Sequence, residues 1–117
     1  MDATALLRSN LYEVFGQRDE TARREVAERI YAPDVVFADD EGTMHGWAAV
    51  SDKAGRLLSQ VTPDFAFAED SLVYAGARRA ALAWRFGPPD AEPVVRGIDL
   101  VTVVDGRISE MTTLIAS

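Results

Sequence analysis

Helices first and a hairpin-rich sheet last make this 117-residue chain an α+β protein. Two observations carry that reading. The first half holds three stretches with apolar residues at helical spacing. From about residue 65 onward the pattern changes to period two, in β-branched runs separated by turn residues. No repeat, low-complexity segment or linker interrupts the chain, so residues 1–117 are expected to form a single domain.

The elements follow in order. Over residues 3–15, Leu7, Leu11 and Val14 share a helical face with Phe15 beside them, and Gly16 stops the run. Asp19 is a natural N-cap for a second helix carrying Ala22, Val26 and Ile30, and Pro33 is expected to end it. A strand Val35-Val36-Phe37-Ala38 runs into the acidic turn Asp39-Asp40-Glu41-Gly42. A third helix from about Trp47 to Val61 has Trp47, Val50, Ala54, Leu57, Leu58 and Val61 on one stripe. Strands are expected over about 65–75, 78–87, 93–104 and 107–116, the last two joined by Asp105-Gly106, a strong two-residue hairpin signal.

Composition narrows the function. Hydrophobic residues make up 48% and charged residues 26%, an ordinary globular balance. Nineteen acidic residues against 12 basic ones leave a net charge of −7, the wrong sign for binding nucleic acid or an anionic membrane surface. There is no cysteine and one histidine, His45, so thiolate and multi-histidine metal sites are excluded. P-loop, dinucleotide and nucleophile-elbow motifs are absent, and neither metal nor cofactor is expected. Without a signal peptide or an apolar run of about 18 residues, cytoplasmic residence is the expectation.

One residue breaks the pattern. Asp99 lies inside a β-branched run and alternates onto the face of Val95, Val101 and Val103. A carboxylate is a poor strand former and costly to bury alone. Its bland explanation is an exposed edge position; its functional one is a pocket. Asp39 shares parity with Val35 and Phe37, which puts a second carboxyl on an apolar face. Trp84 aligns with Leu82 and Phe86, and Met111, Thr113 and Ile115 alternate inward if Asp99 defines the inner side. The opposite face then carries Ile98, Leu100 and Val104, too apolar to be left in water.

Four stretches carry a family likeness: Tyr31-Ala32-Pro33-Asp34-Val35-Val36-Phe37, Met44-His45-Gly46-Trp47, Leu82-Ala83-Trp84-Arg85-Phe86-Gly87, and Gly97-Ile98-Asp99-Leu100 running on to Val104-Asp105-Gly106-Arg107-Ile108. With them the chain resembles the NTF2-like superfamily, also called SnoaL-like or ketosteroid isomerase-like. The resemblance implies a cystatin-like cone, three N-terminal helices packed on a strongly curved, mainly antiparallel sheet around an apolar pocket. It also implies a general-base aspartate matching Asp39 and a second, neutral, hydrogen-bond-donating aspartate matching Asp99. The helical tyrosine of those isomerases aligns with Leu11, so Tyr12, about 100° further round an α-helix, is the hydroxyl candidate. The Arg and Asp two apart used by limonene-type epoxide hydrolases are not matched, because Arg85 is followed by Gly87; His45 alone could serve a cyclase.

The reading is a homodimeric pocket protein for a neutral, apolar small molecule, dimerised through the outer sheet face. As an enzyme it would transfer a proton next to a carbonyl with Asp39 and Asp99, the substrate held by Tyr12, Phe37, Trp84, Phe86, Met111 and Ile115. The alternative is a non-catalytic ligand-binding or dimerisation module of the same fold.

Overall fold

A computed structural model describes residues 1–117. Helix α1 (Ala3–Arg8) continues as a π-helical stretch, Ser9–Phe15, followed by α2 (Glu20–Ile30) and α3 (Trp47–Ser59). The strands are β1 (Tyr31–Asp39), β2 (Gly42–His45), β3 (Ala66–Glu69), β4 (Tyr74–Ala75), β5 (Arg79–Gly87), β6 (Val95–Val104) and β7 (Arg107–Ile115). They form one sheet in the order β2-β1-β7-β6-β5-β3, with the short β4 also on β5. Only the β1–β7 pair is parallel. This is the expected α+β fold.

Local chemistry accounts for most boundaries. The Asp19 carboxylate accepts from Ala22 N at 2.8 Å and starts α2. Asp105 and Gly106 adopt φ 52° and 73°, the positive pair that a tight hairpin needs between right-twisted strands. Leu6, Leu7, Leu11 and Val14 of the first helix meet Ile30, Val50, Ala54 and Leu58 of the other two over an inner sheet face of Val35, Phe37, Leu82, Val101, Ile108 and Met111. Burying each such side chain contributes about 1.5–3 kcal/mol, which fixes the helices across the sheet.

Several local expectations need correction. Pro33 does not end α2; Ile30 does, and Pro33 lies within β1. The β1–β7 register shifts between Tyr31 and Val36, so Pro33 sits in an irregular stretch where its missing N–H removes no ladder bond. Gly42-Thr43-Met44-His45, to which the sequence pattern assigns no element, is a strand held by antiparallel pairing with β1. The segment 65–75 is two strands interrupted around Asp70–Val73. The π-helical winding of Ser9–Phe15 has no counterpart in the α-helical reading; such segments are rare and concentrate at functional sites.

Candidate functional site

Helices and sheet enclose a cavity of ≈220 Å³. Its walls are Leu11 and Phe15 from the first helix, Phe37 and Asp39 from β1, Lys53 and Leu57 from α3, and Phe67, Trp84, Phe86, Val95, Asp99, Thr113 and Ile115 from the sheet. Phe67 stacks on Phe86 at 4.1 Å and meets Trp84 edge-on at 5.3 Å, giving one wall an aromatic lining. Asp40, Glu41, Gln60 and Val61 complete the lining.

Asp99 is 5% exposed. It faces Thr113 across the β6–β7 ladder, and the Thr113 hydroxyl donates to Asp99 Oδ1 at 2.7 Å. Asn10 Nδ2 donates to Asp99 Oδ2 at 3.1 Å. The Tyr31 hydroxyl donates to Asn10 Oδ1, which orients the amide: with its oxygen taken, its NH₂ must turn to the carboxylate. Every arrow in this chain therefore points toward Asp99, the arrangement that suits an ionised acceptor. Burial outweighs the lowering effect of Thr113, Trp84 and Asn10 and leaves its pKa raised to about 6. Tyr31, wholly buried, has its pKa raised well above the ordinary range by burial and then by the charge of Asp99.

Trp84 belongs to the same group. A Cβ on Gly97, its neighbour in the ladder, would stand 2.4 Å from the indole ring, so the bare backbone there is what leaves room for the ring. The indole N–H favours the ionised carboxylate, yet it makes no well-formed hydrogen bond to Asp99 or to any other group.

Asp39 reaches the cavity from the end of β1 in different company. Its Oδ1 accepts from Glu41 N at 2.9 Å, and its Oδ2 is ion-paired with Lys53 Nζ. Both side chains are buried, 7% and 4% exposed. Lys53 also donates to the exposed Glu41 carboxylate at 2.8 Å and lies 5.7 Å from the centre of the Phe37 ring. Burial pushes the Lys53 pKa down, but hydrogen bonds and charge from Asp39 and Glu41 outweigh it and leave the value raised. Lys53 stays an ammonium.

Of the residues singled out in the sequence, Asp39, Asp99, Phe37, Trp84, Phe86 and Ile115 line this one cavity. Met111 does not; it is buried behind the lining as core. Tyr12 is displaced altogether. It is 41% exposed, its hydroxyl donating to Glu69 Oε2 at 3.0 Å, because Leu11 takes the inward position one residue earlier. Asn10, Tyr31 and Lys53 are the members that sequence reasoning missed. Two of them left a signal: Asn10 is three residues after Leu7, and Lys53 three after Val50, so each puts a polar group into an apolar stripe. No three His, Asp or Glu side chains converge as metal ligands, and no helix is long and apolar enough to cross a membrane.

Residues 9–111 match the SnoaL-like domain family. No curated protein matches the chain. Among solved structures, a "putative isomerase of the SnoaL-like family" from Agrobacterium tumefaciens superposes with a TM-score of 0.87 at 17% identity, over 97% of each chain. An NTF2-like protein of unknown function from Mesorhizobium loti gives 0.71 at 24%, covering 97% of this chain and 90% of that one. A cystatin-like protein from Xanthomonas campestris gives 0.75 at 21%, covering 100% and 92%. At these identities the likeness establishes the fold.

Proposed function

The chain belongs to the SnoaL-like domain family, and we propose that its cavity binds a small neutral carbonyl compound and moves a proton beside the carbonyl. The observation that carries this reading is Asp99, a buried carboxylate with a pKa of about 6 in a largely apolar cavity that also holds a buried ammonium. A base poised near neutrality is what proton abstraction at physiological pH requires. Asp99 takes the proton from the carbon next to the carbonyl, the C–H electrons pass to the oxygen, and the enolate is stabilised by a donor. Lys53 supplies that charge.

The roles thus differ from those the resemblance implies. Asp39, its charge already neutralised by Lys53, is assigned to holding the ammonium in place; Asp99, surrounded by neutral donors, is assigned the base. The ≈220 Å³ volume lies below the roughly 300–1,000 Å³ of drug-sized sites, which favours one- or two-ring substrates over steroids. The test is exchange of α-hydrogens for deuterium in D₂O, followed by proton NMR on a panel of cyclic ketones. Wild type accelerates exchange, and Asp99→Asn removes the acceleration while keeping the shape. Equal exchange with wild type and Asp99→Asn would overturn the assignment. Saturable binding of the same ketones without exchange would leave the non-catalytic module as the function.

We further propose that the outer sheet face is covered by a second copy. Ile98 and Leu114 pair side by side across β6–β7, 41% and 52% exposed, with Leu100 and Ala83 as neighbours. Equilibrium sedimentation at micromolar concentration should give twice the 12.8 kDa chain mass, and Leu100→Arg should halve it. A wild-type monomer would reject the assembly.

A further inference from the structure

Outside the cone, between α2 and α3, lies a separate groove of ≈440 Å³ that shares no lining residue with the apolar cavity. Arg18, Arg23 and Arg56 line it together with Gly55, Glu20 and Asp52. Arg23 is the unusual member. It is 6% exposed, yet it forms no ion pair with any carboxylate. Its Nη1 donates to the Gln17 carbonyl at 3.0 Å and its Nε to the Ser51 hydroxyl at 3.3 Å, both neutral acceptors. Nη2 donates to nothing. It rests against Gly55, where a Cβ would stand only 2.6 Å away, so the glycine leaves room for the guanidinium at the groove.

The surroundings leave the groove's arginines without an ion pair. Arg18 donates only to backbone carbonyls, those of Leu58, Thr62 and Phe65. Arg56 has no carboxylate partner, and Asp52 is engaged by Arg24 at 3.3 Å. Glu20 is the one acidic side chain of the groove without an ion pair. A buried guanidinium is expected to be paired, and this chain has an excess of acids from which a partner could have come. Lys53, equally buried, has two.

We propose that this groove is a binding site for a phosphate group, with Arg23 at its base and Arg18 and Arg56 at its rim. A guanidinium presents parallel donors that suit phosphate oxygens, and three cations from different directions suit an anion of more than one charge. The group could arrive as free inorganic phosphate or on a small phosphate ester, and both supply the same three acceptor oxygens.

The test is amide NMR of the full chain titrated with inorganic phosphate and, separately, with glycerol phosphate, at ionic strength held constant with chloride. Saturable shifts should be confined to the neighbourhoods of Arg18, Arg23 and Gly55. Arg56→Gln, at an exposed position that spares the fold, should weaken binding about tenfold, the effect of removing one charge-assisted contact. Arg23→Lys keeps the charge but loses the fork, and should weaken it as well. Tighter binding of the ester would assign the group to a larger molecule, and equal binding to the free anion. Shifts that do not saturate, or an affinity unchanged in Arg56→Gln, would overturn the site.

Discussion

Asp39 and Asp99 line the same cavity of the same sheet, and the protein keeps them by opposite means. Asp39 has a full positive charge against one oxygen and a backbone N–H against the other. Asp99 has no cation at all, only an amide, a hydroxyl and a nearby indole. A cation balances a buried carboxylate's charge directly, whereas neutral donors only partly offset the burial that raises the pKa of Asp99. Two buried carboxylates in one cavity are therefore stabilised in different ways. The identity of the donors sets the difference.

Breaking the Asp39 side of this contrast should have the largest effect. Lys53→Met leaves Asp39 buried and unpaired, and chemical denaturation should show a loss of about 3–5 kcal/mol. Adding Asp39→Asn to that variant removes the orphaned charge and should recover most of the loss. If the double variant is as unstable as the single one, the pair matters through packing instead of charge.

The Asp99 side should respond to pH. Its folded pKa, about 6, lies above the ordinary 3.8, so the native state holds a proton that the unfolded chain has released between those values. Stability from this group is full below the unfolded value and declines as pH rises toward 6, a change on the order of 3 kcal/mol. Asp99→Asn removes the titration. It should be close to neutral near pH 4 and stabilising by about 1–3 kcal/mol above pH 6. Melting temperatures of the two proteins across that range give the answer, and a difference independent of pH would place Asp99 among ordinary solvated carboxylates.

A smaller effect sharpens the comparison. Gly97→Ala drives a methyl into the Trp84 ring and should cost about 1–3 kcal/mol, with the tryptophan emission shifting as the indole moves. Because the indole N–H favours the charged form of Asp99, the carboxyl should also titrate at higher pH in this variant. Carbon-13 NMR of the Asp99 carboxyl reads that directly; an unchanged titration would take Trp84 out of the group.

The hairpin half of the fold is legible in the sequence because each local signal agrees with the final structure. Alternation across residues 79–115 and the Asp105-Gly106 turn predict both the strands and their inward face, including Asp99, Thr113 and Ile115. β2 is not legible: Gly42-Thr43-Met44-His45 has no apolar alternation, and it is a strand only because β1 is there to pair with it. The π-helical winding leaves no local mark either. Within the site, Asp39 and Asp99 stand out as carboxyls among apolar residues, whereas Asn10 and Lys53 are hidden inside stripes that a search for apolar spacing reads straight through. Tyr12 shows the limit of transferring a role by alignment. One residue of offset is the difference between facing the cavity and facing Glu69.

The parallel pairing of β1 with β7 bears on the order in which the molecule assembles. Thr113 is 14 residues from Asp99 and arrives with a single hairpin, whereas Asn10 comes from 89 residues away. Closing the longer loop carries the greater entropic cost, so the β5–β6–β7 meander should form early and the N-terminal helix should dock late. Until it docks, Asp99 is wet and has an ordinary acidity. Between about pH 3.8 and 6, helix docking and proton uptake are therefore one event; above 6, the cost of burying an ionised Asp99, only partly offset by the Asn10 hydrogen bond, works against the docked helix. The N-terminal helix should be the first part of the chain to open as pH rises from about 4 to above 6, and amide exchange of Leu7, Leu11 and Val14 should report that opening before the sheet shows any.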